Sequence, residues 1–195
     1  PPPTTCVVGK RQMCIRDRIG GVHLNAENTN DVSADLYALS ENSNFVICSG
    51  AKSILDLSKT NELLETLGIT RIGYQTNYMP GFWYEETENK VDNKFDEIHE
   101  ISSFLKLNEN MGNKKSILIF NKVPLEKALN KNDVEKWINN ATIKADRNNI
   151  SGKELTPFLI KEINEQSKNE TLNANVSLII NNANLAGKIA KSFYS

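Results

Sequence analysis

Short apolar runs alternate with longer stretches of amphipathic spacing over most of the chain. Residues 45–49, 70–74 and 116–120 predict strands, and the first of these is a short apolar run that indicates a buried strand. Apolar residues recur at helical spacing in residues 53–67, 95–107, 134–144, 155–165 and 172–190. Strands that alternate with helices in this way predict an α/β fold with three α/β/α layers and a largely parallel or mixed central sheet.

The predicted helices carry end signals and one interruption. Gly68 follows the helix of residues 53–67 and suits its C-terminal cap. Pro157 falls in the first turn of a later helix. Asn181 and Asn182 interrupt the last apolar helix, so either the helix breaks there or their amides have partners. A role in a site and a role in a buried structural network both stay open for these amides and for that of Asn175.

The first 18 residues differ from the rest of the chain. They read PPPTTCVVGKRQMCIRDR, with three leading prolines and no helical or strand period. Their basic residues suggest a targeting peptide, but a secretory signal needs a continuous apolar segment, and Asp17 and the scarcity of serine disfavour a transit peptide. The run KRQMCIRDR also resembles translated sequencing-adapter sequence. We therefore expect residues 1–18 to be a leader that is not native, and we assign residues 19–195 to one domain.

Composition and charge exclude several classes of protein. Lysine and arginine number 23 against 24 aspartates and glutamates, which gives a net charge of -1 and argues against a nucleic-acid binder. No apolar run is long enough for a membrane span. Cys6, Cys14 and Cys48 are odd in number and lack CxxC spacing, which favours a reducing compartment and predicts a cytoplasmic protein. Targeting to an organelle stays open, because the native N-terminus is not visible.

The densest polar cluster lies between residues 20 and 35. Asp31, Ser33 and Asp35 offer hard oxygen ligands or hydrogen-bond partners beside two consecutive glycines. The alternative is a capped helix, with Asp31 or Ser33 as the N-cap and Asp35 in the first turn. Both interpretations can hold together, because helix N-termini also bind phosphate. His23, beside the glycines, can belong to the site or to the structure.

A second cluster surrounds Lys52, just beyond a predicted buried strand. In open α/β sheets, ligands bind outside the carboxyl ends of the strands. A neutral lysine amine at such an edge can attack a carbonyl carbon and form a Schiff base. The alternative is an exposed lysine that pairs with Asp56 four residues later. Trp83, between Phe82 and Tyr84, is better explained by packing than as a stacking platform.

Together these clusters resemble one family, the pseudouridine-5'-phosphate glycosidases, also called the indigoidine-synthase-A-like family. The matching segments follow in family order and cover nearly everything from Ile19 to the end of the chain. They are GGVHLNAENTNDVSADL, SGAKSILDL, LETLGI, IGYQT, GKELTPFL and LNANVSLIINNANLA. Several separate motifs at matching spacings are far more specific than any single one.

The resemblance implies reversible cleavage of a C–C glycosidic bond, in which pseudouridine 5'-phosphate gives uracil and ribose 5-phosphate. It makes Lys52 the nucleophile that forms a Schiff base with C1′ of the opened ribose. It makes Asp31 the ligand of a divalent metal, with manganese expected. The substrate-binding residues that it implies are Ser33, Asp35, Asn175 and His23. It further implies a homotrimer.

The sequence also departs from the family pattern. Leu24 stands where the family usually has arginine, Glu85 and Glu86 replace part of a segment resembling RTS, and Lys122 replaces the proline of an Asn-Pro pair. The family begins well before its GGVH motif, and residues 1–18 match neither its catalytic glutamate nor its upstream substrate-contacting lysine. We therefore expect the C-terminal portion of the family domain, with the N-terminal part of the fold missing. A catalytically degenerate subunit that binds sugar phosphates or serves in assembly is the alternative function.

Overall fold

The chain folds around one six-stranded sheet in the computed structural model, which describes residues 5–8 and 11–195. The strands are β1 (Thr5–Val8), β2 (Arg11–Ile15), β3 (Asn44–Cys48), β4 (Thr70–Tyr74), β5 (Asn93–Phe95) and β6 (Ile117–Phe120). Their spatial order is β1-β2-β3-β6-β4-β5. The β1–β2 pair is antiparallel and every other pair is parallel, which confirms the predicted mixed, largely parallel sheet.

Seven α-helices accompany the sheet in the described part of the chain. They are α1 (Ala26–Thr29), α2 (Ala34–Glu41), α3 (Leu57–Thr66), α4 (Ile98–Asn110), α5 (Lys131–Arg147), α6 (Leu155–Gln166) and α7 (Glu170–Tyr194). Helix α3 begins later than predicted, because the Asp56 side chain accepts the Lys59 N–H at 2.9 Å and caps the helix there. Helix α7 continues through Asn181 and Asn182 without a break.

The exclusion of residues 1–18 from the fold is corrected by β2. Arg11–Ile15 pairs in parallel with β3, with Met13 opposite Phe45. Met13 is fully buried and Ile15 nearly so. The run was missed because Arg11 and Gln12 break its apolar pattern and charged residues flank it on both sides. That residues 1–18 are not native stays a prediction.

The sheet separates two apolar clusters, because successive strand side chains point to opposite faces. Phe45, Ile47 and Ile119 lie in one cluster, whereas Val46 and Leu118 lie in the other. The first cluster is completed by α4 and the second half of α7. The second is completed by α2, α3, α5, α6 and the first half of α7. Helices on both faces confirm the predicted three-layer α/β/α arrangement.

A buried arginine fastens the edge of the sheet near the amino end of β4. Arg71 is 4% exposed and donates to Asp92 Oδ2 at 3.3 Å, to the Asn61 carbonyl at 3.0 Å and to Glu65 Oε2 at 3.2 Å. Burial by itself would lower the pKa of Arg71, but hydrogen bonds and charge from Asp92 and Glu65 raise it. The guanidinium therefore stays charged and holds α3 and the approach to β5 against β4.

Among the described residues, no helix is long and apolar enough to cross a lipid bilayer.

Candidate active site

An extended segment, residues 19–23, joins the two polar clusters predicted from the sequence. On one side, Ser33 N–H donates to the Gly21 carbonyl at 2.9 Å and His23 N–H donates to the Asp31 carbonyl at 3.0 Å. On its other side, Lys52 N–H donates to the Ile19 carbonyl at 3.1 Å. The segment thus brings together two parts of the chain that lie about twenty residues apart.

Gly20 and Gly21 allow residues 19–23 to lie directly against the side chains of Ser33 and Thr60. A Cβ on Gly20 would overlap the Ser33 hydroxyl, and a Cβ on Gly21 would overlap the Thr60 side chain. Thr60 Oγ1 instead accepts the Val22 N–H at 2.9 Å. The glycines are therefore required by backbone packing around the site.

The Asp31–Asp35 segment caps helix α2 and also holds the glycine turn. Ser33 is the N-cap, since its hydroxyl accepts the Asp35 N–H at 3.3 Å. Asp35 Oδ2 accepts the Gly20 N–H at 2.8 Å. Of the two predicted caps, Ser33 is right and Asp31 is wrong. The substrate-binding roles assigned to Ser33 and Asp35 stay predictions.

Asp31 and His23 face a cleft of about 910 Å³. Their side chains come within 3.7 Å, from His23 Nδ1 to Asp31 Oδ2, and are 19% and 46% exposed. The GKELTPFL motif contributes Leu155, Thr156 and Leu159 to the lining of the same cleft. Ile54 of the SGAKSILDL motif lines the cleft as well, so three motifs that are distant in sequence meet at one concave surface.

Lys52 lies on the turn that follows β3, at the carboxyl edge of the parallel sheet. It is half-buried, and the structure gives its ammonium group no ion pair or hydrogen bond with any described residue. The predicted alternative, an ion pair with Asp56, is wrong, because Asp56 faces Lys59 at 3.4 Å. Lys52 is not part of the cleft wall described above, although Ile54, two residues later, is.

A turn formed by residues 80–84 packs over the Lys52 turn. Phe82 N–H donates to the Ser49 carbonyl at 3.1 Å, and Ser53 Oγ donates to the Gly81 carbonyl at 2.6 Å. Trp83 is 1% exposed, and its ring lies 5.0 Å from that of Phe82, which confirms a packing role. Its indole Nε1–H also donates to Asn175 Oδ1 at 2.7 Å. This hydrogen bond connects α7 to the turn above Lys52.

A neutral amide network ties three strand ends to α7 beneath this turn. Asn182 is fully buried, and its Nδ2 donates to the Arg16 carbonyl at 2.8 Å and to Ser49 Oγ at 3.1 Å. Its Oδ1 accepts from Asn121 Nδ2 at 2.9 Å. For Asn182 the structure therefore decides in favour of the buried network. Asn181 donates separately to the Lys122 carbonyl at 3.1 Å.

Cys48 ends β3 just before the Lys52 turn. Burial raises the pKa of its thiol to about 12. The thiol is therefore neutral at physiological pH and serves as an apolar core group.

Two departures from the family pattern meet in space. Lys122 Nζ lies 3.5 Å from Glu86 Oε1 and 3.9 Å from Glu85 Oε1. Glu86 Oε1 also accepts from Thr76 Oγ1 at 2.7 Å. Lys122 therefore offsets part of the negative charge that Glu85 and Glu86 introduce. The third departure, Leu24, is 50% exposed and lines the cleft beside Asp31.

The predicted site residues thus form two connected groups. His23, Asp31, Ser33, Asp35 and the Lys52 backbone are joined through residues 19–23, whereas Asn175 is joined to the Lys52 turn through Trp83. Sequence reasoning missed the bond between Trp83 and Asn175 and the partners of Asn182. No local signal could have found either, because the bonded residues lie 92 and up to 166 positions apart.

Fold and site define an α/β protein with a candidate small-molecule site at the carboxyl edge of a parallel sheet. The chain belongs to the family described as indigoidine synthase A like protein, whose model matches residues 14–192. It is 45% identical over 175 residues to the pseudouridine-5'-phosphate glycosidase of Petrotoga mobilis, and these cover 90% of this chain and 57% of that relative. The Staphylococcus aureus enzyme of the same name is 42% identical over 179 residues, or 92% of this chain and 58% of the relative.

Two solved structures are similar to this chain in fold and sequence. The prealnumycin C-glycosynthase AlnA, in complex with ribulose 5-phosphate, superimposes with a TM-score of 0.86 and 29% identity, over 91% of this chain and 59% of AlnA. An indigoidine synthase A-like protein from Thermotoga maritima superimposes with a TM-score of 0.80 and 33% identity, over 90% of this chain and 57% of that protein. The chain therefore spans somewhat under three fifths of the length of these relatives.

Proposed function

We propose that this chain carries the lysine nucleophile of a pseudouridine-5'-phosphate glycosidase. The main support is the hydrogen-bonded segment of residues 19–23, which joins the Lys52 turn to the Asp31–Asp35 segment. Identity of 45% to a relative of that name, and the sugar phosphate bound by the structural neighbour AlnA, point to the same chemistry. The substrates are then pseudouridine 5'-phosphate in one direction, and uracil with ribose 5-phosphate in the other.

The bond to be cleaved explains why a lysine is needed. A C-glycoside has no heteroatom leaving group to protonate, so chemistry with two carboxylates does not suffice. The neutral Lys52 amine attacks C1′ and displaces the ring oxygen, which takes a proton. The C1′–C5 bond then breaks, its electron pair leaves with uracil C5, which is protonated, and the nitrogen lone pair forms the iminium. Water hydrolyses the iminium, which releases ribose 5-phosphate and restores the amine.

Trapping with borohydride tests this proposal directly. The purified chain is incubated with ribose 5-phosphate and borohydride, and the modified peptide is identified by mass spectrometry. We expect one reduced adduct on Lys52 and none in Lys52→Met. Lys122→Met is the matched control, because Lys122 lies at the same sheet edge but is paired with Glu86. An adduct that persists in Lys52→Met, or a folded chain without any adduct, would contradict the assignment.

We further propose that Asp31 anchors a divalent cation, with manganese expected. Asp31 is 46% exposed at the cleft, but no group of three histidine, cysteine or carboxylate side chains that could hold a metal occurs among the described residues. Hard divalent cations such as Mg²⁺ and Mn²⁺ prefer oxygen ligands, and Mg²⁺ commonly keeps several waters beside one or two carboxylates, so a single carboxylate fits this role. When bound, such a cation would supply positive charge for an anionic substrate.

Titration with manganese measures the proposed anchor. Calorimetry should show Mn²⁺ binding that is lost in Asp31→Asn. It should persist in Asp146→Asn, whose exposed side chain lines the same cleft. Equal loss in the two variants, or none in Asp31→Asn, would remove Asp31 as the anchor.

A degenerate sugar-phosphate-binding or assembly subunit is the second candidate function. Leu24 favours it, because an exposed apolar side chain lines the cleft where the family pattern has a positive charge. Calorimetry with ribose 5-phosphate, combined with an assay for uracil release, separates the two functions. Binding and trapping without release of uracil support the degenerate subunit, whereas release eliminates it.

The homotrimer and the cytoplasmic location that the sequence predicts also stay proposals. Light scattering on the purified chain gives the number of copies, and microscopy of a tagged chain gives its compartment.

A further inference from the structure

The bond between Trp83 and Asn175 fixes the orientation of a side-chain amide. The two atoms, Nε1 and Oδ1, lie 2.7 Å apart. An indole N–H can only donate, so only the oxygen of the amide can face it. Rotating the amide by half a turn would place its NH₂ group against the indole N–H, donor against donor. The geometry therefore removes the usual ambiguity between the two ends of an asparagine amide.

Trp83 is a rigid partner for this bond. Its side chain is 1% exposed, and its ring packs against Phe82. Its carbonyl accepts the Leu129 N–H at 2.8 Å, and the preceding residue, Phe82, is bonded to Ser49. Burial and these backbone bonds leave the indole no room to follow a rotating amide. Asn175 therefore adapts to Trp83.

The other end of the Asn175 amide is available to a ligand. Asn175 is half-buried, and its Nδ2 finds no acceptor among the described residues. With Oδ1 engaged by the indole, Asn175 can offer only N–H donors on the side away from Trp83. A ligand atom that meets it must be a hydrogen-bond acceptor, and a ligand N–H at that point would be repelled.

We propose that Trp83 is a positioning residue that turns Asn175 into a dedicated donor, so that this point of the site selects a carbonyl oxygen. The inference rests on the proposed function, in which uracil supplies ring carbonyls and cytosine presents an amino group in place of one of them. A site built to donate to a carbonyl discriminates against an analogue that lacks it, because a buried donor is then left unpaired.

Calorimetry with uracil and with cytosine, each in the presence of ribose 5-phosphate, tests the proposal on the full chain. We expect the wild type to prefer uracil at least tenfold. Trp83→Phe keeps the ring and removes the N–H, so the amide can rotate and the preference should fall to about twofold. Asn175→Asp keeps an acceptor for the indole and removes the donor, so the preference should reverse. Trp137→Phe, at a half-buried tryptophan on α5, is the matched control and should leave the preference unchanged.

A merely structural role for Trp83 predicts a different pattern. In that case Trp83→Phe would lower thermal stability and weaken the binding of uracil and of cytosine equally, so that the ratio of their affinities would not change. That pattern, an Asn175→Asp variant that still prefers uracil, or a wild type that binds the two bases equally or not at all, would overturn the proposal. Trapping of ribose 5-phosphate on Lys52 does not involve Asn175. Successful trapping with unchanged base preference therefore removes only this inference, whereas failed trapping removes the proposed function.

Discussion

The two ends of the parallel sheet are fastened by different chemistry. At the carboxyl end, the uncharged side chains of Asn182, Asn121 and Ser49 hold β2, β3 and β6 to helix α7. Near the amino end of β4, the charged Arg71 binds Asp92 and Glu65. Both sets are buried or partly buried, and both join elements that are distant in sequence.

The difference is that the side chains that fasten the strand ends near the Lys52 turn carry no charge. An amide network can fix the strand ends through directional hydrogen bonds without adding a net charge. Near the amino end of β4, away from the Lys52 turn, a guanidinium and two carboxylates serve the same mechanical purpose. The contrast predicts that the two ends respond differently to mutation and pH.

The largest effect is expected at Gly50, which starts the Lys52 turn. Its φ is +92°, and a Cβ would overlap the Pro80 carbonyl oxygen. Gly50→Ala adds backbone strain to a steric clash and should lower the free energy of unfolding by about 4 kcal/mol. Gly112→Ala is the control, since its φ is +71° but open space surrounds it. It should cost only about 1 kcal/mol. Equal losses in urea unfolding would show that packing against Pro80 does not matter.

The next effect is expected at the centre of the amide network. Asn182→Leu keeps the branching and number of side-chain heavy atoms but leaves the Asn121 amide and the Arg16 carbonyl without their partner. We expect a loss of about 3 kcal/mol, because each unsatisfied buried polar group costs about 1–3 kcal/mol. The loss should be the same at pH 6 and pH 8, since no network side chain ionises. A strong dependence on pH in chemical denaturation would contradict this account of the carboxyl end.

The arginine at the opposite end should give a smaller, salt-sensitive effect. Arg71→Met fills the same space and leaves Asp92 and Glu65, 35% and 72% exposed, able to turn toward water. We expect a loss of about 2 kcal/mol, less than for Asn182→Leu. The difference in free energy of unfolding between wild type and variant should shrink as NaCl rises from 0.05 M to 1 M. The reason is that salt screens the attraction of Arg71 to its partly exposed partners. An unchanged difference would make packing, and not charge, the function of Arg71.

The smallest effect concerns Cys48 and appears only in alkali. Its thiol has a pKa of about 12 in the folded chain, against 9.0 for the ordinary group. The unfolded thiol therefore loses its proton first, and stability falls as pH rises above about 9. At pH 10 the ionisation of this thiol in the unfolded chain should lower the free energy of unfolding by about 1.4 kcal/mol. Cys48→Ala should remove that part of the decline between pH 8 and pH 10 in urea titrations, and an identical decline in the variant would exclude the thiol as its source.

Several elements of the fold could be predicted from the sequence because they are locally encoded. β3, β4 and β6 match their predicted bounds within one residue, and β3 and β6 do so because strands buried on both faces are continuous apolar runs. β2 was missed because Arg11 and Gln12 interrupt its apolar pattern, and β5 because its three residues, Asn93–Phe95, are too short to show a period. The glycines at residues 20 and 21, and Ser33 as one of two candidate caps, could be selected from residue type and neighbours, whereas Lys52 as the nucleophile came from the family resemblance.

The sequence by itself determined the α/β class, the family and the set of candidate site residues, because periodicity and motifs are properties of neighbouring positions. Only the tertiary structure decided which of these residues meet. Residues 19–23 join Asp31 to the Lys52 turn through backbone hydrogen bonds, which carry no side-chain signature. Trp83 and Asn182 find partners up to 166 positions away, where close packing of α7 on the strand ends selects the contacts.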